Sequence, residues 1–139
     1  MTMPMEYRQA SADFDAFMIE LRDEAGLATT NQTYTLLQAV LQVFRRRLSL
    51  SEAIAFAAVL PPVLRAIFVS DWDTEEPRKE FEPREAMTRE TRELRRDHNF
   101  STETAIADVA KVLRRHVDTG TFERALAGLP SAARDFWAP

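Results

Sequence analysis

The chain has 139 residues, with 18 Lys and Arg against 22 Asp and Glu, a formal net charge of −4, 45% hydrophobic residues and no Cys. This length and hydrophobic content support one domain with a real core and do not force disorder. The lack of Cys excludes disulfides, a thiol nucleophile and Cys-bearing zinc sites, and the mild acidity argues against a general nucleic-acid binder, which carries a net basic face.

Residues 1–12 are expected to form an N-terminal tail. The start, MTMPMEYRQASADFD, has no basic n-region and no apolar h-region, so a cytoplasmic protein without a secretory signal is expected. Phe14, Phe17, Met18, Leu21 and Ala25 then recur at helical spacing. Asp13 or Ser11 is placed to cap this first predicted helix, and Gly26 to end it. Tyr34, Leu37, Leu41, Phe44 and Leu48, with Val40 alongside, predict a second helix that ends in Arg45-Arg46-Arg47. Ser49-Leu-Ser-Glu52 is a capping box for a short third helix through Ala57. Leu60-Pro61-Pro62 breaks that helix and opens a fourth, with Val63, Leu64, Ile67 and Phe68 as its apolar face. The longest apolar stretch, Ala53 to Leu64, is interrupted by these prolines and is too short to cross a membrane.

Residues 70–82 are charged, contain Pro77 and are expected to be a linker. Pro83 opens a fifth predicted helix through about Arg96, thin in apolar residues (Met87, Leu94, and Phe81 before it). Such a helix needs a neighbour, in this chain or in a second one. A sixth helix follows Ser101, stapled by Phe100 onto Ala105, with Ile106, Val109, Val112, Leu113 and Val117 as its stripe. Asp118-Thr-Gly120 is expected to be a turn. Phe122, Ala125, Leu126 and Leu129 make a seventh helix, and Pro130 opens an eighth with Ala133, Phe136 and Trp137. The expected fold is therefore all-α, with no sustained strand alternation. The expected core is Phe17, Leu21, Leu37, Val40, Leu41, Phe44, Leu64, Phe68, Val109, Leu113, Leu126, Leu129 and Phe136.

A shift of 69 residues lays Asn31–Phe68 on Phe100–Trp137 without a gap, with ten of 38 positions identical. Chance would supply roughly three in this composition, so the match is treated as an internal repeat. It pairs Arg45 with Arg114, Arg46 with Arg115, Arg65 with Arg134 and Pro61 with Pro130. The expected organisation is two similar four-helix halves, 13–69 and 83–139, joined by the linker and packed as one domain.

Two segments, LLQAVLQVFRRRLSLSEAIAFAAVLPPVLRAIFVSDWD (36–73) and VLRRHVDTGTFERALAGLPSAARDFW (112–137), resemble the bacterial domain-of-unknown-function family 2267. The likeness runs from about residue 14 over nearly all of the chain. It implies a helical domain with two similar halves, and it carries no activity, cofactor or catalytic residue with it. The stretch TRETRELRRD departs most from the family pattern.

The chain holds few chemical motifs. Gly occurs only at 26, 120 and 128, so no glycine-rich phosphate cradle can be written, although a helix N-terminus can still hold an anion. No nucleophile elbow and no His-Glu metal motif is present. His98 is expected to be a loop residue. Arg45, Arg46 and Arg47, and at matched positions Arg114, Arg115 and His116, are expected near helix C-termini, where cations are stabilised by roughly 0.3–1 kcal/mol each. The competing reading makes them an anion or acidic-partner surface. Trp72, alone among charges, is expected to anchor the linker or to serve as a contact for a ligand or partner. No cofactor and no metal is expected, nucleic acid and membrane are not expected partners, and no enzyme activity is expected. The function expected is a protein-interaction or regulatory module, with a protein or a second copy as partner. The alternative is a small-ligand or anion-binding protein with its site between the two halves.

Overall fold

The computed structural model describes residues 2–94 and 102–139. The described residues form helices and no strand: α1 (Met5–Arg8), α2 (Ala10–Ala25), α3 (Thr30–Arg45), α4 (Leu50–Ala57), α5 (Pro62–Val69), α6 (Arg84–Glu93), α7 (Ala105–Arg115), α8 (Thr119–Ala127) and α9 (Ser131–Phe136). No described helix is long and apolar enough to cross a membrane.

Local chemistry sets most of the boundaries. Thr29 with Gln32, and Ser49 with Glu52, form reciprocal capping boxes at the starts of α3 and α4. Pro62 occupies the first turn of α5, while Pro83 and Pro130 immediately precede α6 and α9. Gly26 ends α2 at φ +69°, a left-handed conformation that a Cβ disfavours.

Two expectations are corrected, and the expected tail contains α1 and the first three residues of α2. Gln9, not Asp13 or Ser11, precedes α2, and Asp13 sits in its first turn. Asp118-Thr-Gly120 is not a free turn: the Asp118 carboxylate accepts from the Thr121 amide, and Thr119 and Gly120 already belong to α8. The expected cap at Ser101, the staple from Phe100 and the loop reading of His98 lie outside the described residues.

All the expected core residues are buried except Leu129, which is half-buried at the corner between α8 and Pro130. Tyr34 is also exposed, its place on α3 being taken by the buried Thr33. One apolar cluster draws on both halves of the sequence. Its centre is aromatic: Phe44 lies 4.8 Å from Phe136 and 5.3 Å from Trp137, and Phe56 stacks on Trp137 at 5.5 Å. The most extensive helix contact crosses between halves, α2 against α7, and α3 packs on α6 of the other half as much as on α2 of its own.

Candidate functional site

The C-terminal end of α3 carries the first group of candidate residues, and each of the three arginines has a different fate. Arg45 is 5% exposed. Its Nη1 donates to the carbonyls of Phe68 and Ser70, both at 2.9 Å, and so caps the end of α5 rather than of its own helix. Its guanidinium lies 5.1 Å from the Trp72 ring centroid, a cation–π contact. Burial pushes Arg45 below its usual pKa, with Glu76 and Asp71 opposing.

Arg46 is half-buried and reaches Glu76 at 3.5 Å and Glu90 at 3.6 Å. Arg47 is 2% exposed and forms a fork on Glu90, with Nη1 to Oε2 at 2.8 Å and Nη2 to Oε1 at 3.1 Å. It also donates to the carbonyls of Val43 and Glu80 and to Glu82. Lys79 donates to Glu90 at 2.6 Å. Burial alone would raise the Glu90 pKa, but the hydrogen bonds from Arg47 and Lys79 prevail and hold it at about 2.

The second group, at the end of α7, ties other elements together. Arg114 Nε donates to the Trp137 carbonyl at 2.8 Å. Arg45 and Arg114 thus each reach the residue 23 positions ahead, the carbonyls of Phe68 and Trp137 that the repeat pairs. Arg115 donates to Glu20 at 2.9 Å, and His116 Nε2 lies 2.6 Å from the other Glu20 oxygen. The hydrogen bonds from Arg115 and then His116 lower the Glu20 pKa. No hydrogen bond or ion pair among the described residues joins this group to the first. The seven candidates do not converge on one site.

Arg45, Arg46 and Trp72 do share a groove of about 460 Å³, walled also by Leu48, Leu50 and Pro77. It lies between the α3–α4 corner and the segment after α5, not between the two halves as the ligand-site alternative expects. A smaller cavity of about 260 Å³ does lie across the halves, between α2, α5 and the end of α7, but His116 is the one candidate residue in its wall. Elsewhere the contact between halves is filled by the aromatic centre of the core.

Beside the groove, α4 turns Leu50, Ser51, Ile54, Ala55 and Ala58 outward. Leu50 is 56% and Ile54 60% exposed, and the face carries no charge. The inward face is Ala53, Phe56 and Ala57. Sequence reasoning missed this surface. The signal was present, since Leu50, Ile54 and Ala58 recur every four residues opposite the buried stripe. It missed Glu90 and Glu20 as well, because a long-range charge partner leaves no local spacing. Among the described residues no three His, Cys, Asp or Glu side chains group as a metal ligand set.

No curated protein matches the chain. The family described as "Uncharacterized conserved protein (DUF2267)" matches residues 14–136. That span takes in α3 to α9, the groove and both groups of cations, and the chain belongs to this family.

Proposed function

We propose that the chain is a non-enzymatic helical module that acts by binding protein, through the outer face of α4. One observation carries this reading. A chain with 29% charged residues presents two large apolar side chains, Leu50 and Ile54, a single turn apart on a helix face with no charge. Apolar residues exposed singly are ordinary, whereas a contiguous neutral face is typical of a contact surface. Arg46, Arg47, Arg114 and Arg115 support the reading indirectly, since each is ion-paired within the chain. The partner is a protein or a second copy of the chain, and the proposed setting is the bacterial cytoplasm.

Sedimentation over a concentration series tests self-association, and affinity capture compared between wild type and Ile54→Glu tests other partners. The wild type is expected to gain mass or retain a protein that Ile54→Glu loses. A wild type that stays monomeric, and whose captured proteins Ile54→Glu retains equally, overturns the proposal.

A further inference from the structure

We propose that the groove beside Trp72 binds a carboxylate carrying an apolar group, with Arg45 as the partner of the carboxylate. The groove meets α4's outer face at Leu50, but the proposal starts from Arg45 and does not rest on the reading of that face.

The argument begins with Arg45. It is more than nine-tenths buried and no carboxylate among the described residues lies within ion-pair distance of it, unlike Arg46 and Arg47 beside it. Only Nη1 is engaged, by the two carbonyls. Nε and Nη2 make no hydrogen bond among the described residues, yet neither is sealed from solvent, and Arg45 lines the groove. A buried guanidinium stays protonated, so a missing counter-charge is costly. The Nε–Nη2 edge is the side-on fork that matches the two oxygens of a carboxylate. Burial already disfavours the charged form of Arg45, and a bound anion would relieve this.

The rest of the groove narrows the ligand class. Trp72, Leu48, Leu50 and Pro77 provide apolar walls, which favours an anion with an apolar group over a bare inorganic one. Asp73, Glu75 and Glu76 line the same groove. They would repel a phosphate dianion more than a monoanion. The other cations are already engaged, Arg46 by Glu76 and Glu90 and Arg78 by Glu52 at 3.9 Å. The amide of Leu50, in the first turn of α4, has no acceptor among the described residues and adds a donor at the groove wall. A free carboxylic acid and the C-terminus of a peptide share this chemistry.

The test is a nitrogen-proton NMR titration of the full chain with five probes: benzoate, N-acetyl-glycyl-leucine, the amides of both, and inorganic phosphate. Saturable shifts are expected at the Arg45 Nε–H and the Trp72 indole N–H with at least one acid. The matching amide should bind at least about tenfold more weakly, the loss of a charge-assisted hydrogen bond. The tighter of the two acids identifies the source as a free acid or a chain terminus. Arg45→Met should weaken binding by a similar factor. Arg45 also caps α5, so where that variant does not fold the unmodified chain decides. No saturable shift with either acid, equal binding of acid and amide, or tighter binding of phosphate overturns the proposal.

Discussion

At the scale of single residues, the chain spends its cations on one another's neighbours. Arg47 and Glu90 are the clearest pair, both withdrawn from water and joined by two hydrogen bonds. Glu90 has a measurable acid signature. Its pKa falls from 4.5 to about 2 on folding, so its contribution is complete above pH 4.5 and is lost as the pH falls towards 2. The size is on the order of 3 kcal/mol. Urea unfolding of wild type and Glu90→Gln, compared between pH 6 and pH 2.5, should show the gap between them closing as acid is added. A gap that stays constant across that range would mean the Arg47 fork does not hold Glu90 ionised.

At the scale of elements, α6 shows how a polar helix becomes buried. Its apolar content is thin, yet Met87, Thr88 and Thr91 are buried and the helix packs on α3. The Thr88 hydroxyl donates to the Arg84 carbonyl and the Thr91 hydroxyl to the Thr88 carbonyl. Each threonine therefore satisfies its polar group on its own helix and leaves its methyl group for packing. The neighbour that the sequence demands for this helix is α3 of the same chain, so α6 gives no reason to invoke a second one. The short α4 depends instead on its start. The Ser49 hydroxyl accepts from the Glu52 amide, and the Glu52 carboxylate accepts from the Ser49 amide at 2.7 Å. Ser49→Ala is expected to cost about 1 kcal/mol, within a range of roughly 0.5–2, read from the urea midpoint at unchanged slope. No loss would show that packing of Phe56, not the cap, holds α4.

At the scale of the whole molecule, the halves exchange their helices. α2 rests on α7 and α3 rests on α6, and the aromatic centre combines Phe44, Phe56 and Phe68 from one half with Phe122, Phe136 and Trp137 from the other. Neither half can close this core alone. Residues 1–78 and 79–139 produced separately should show no cooperative thermal transition by circular dichroism, whereas the whole chain should show one. A separate half that melts cooperatively would refute the shared core.

The sequence by itself determined the helices from α2 to α9, the cap of α4, the proline breaks, most of the core and the family, because these rest on spacing within a few residues. It also exposed the repeat, and with it the equivalence of Arg45 and Arg114. It did not reveal where those arginines point. Sequence reasoning places a cation at the end of its own helix, but Arg45 and Arg114 reach carbonyls of other helices, a choice made by how α5 and α9 fold back. The Glu90 and Glu20 partners and the groove that gathers Arg45, Arg46 and Trp72 were likewise decided only in three dimensions. Long-range charge pairing depends on which elements meet, and no local pattern records that.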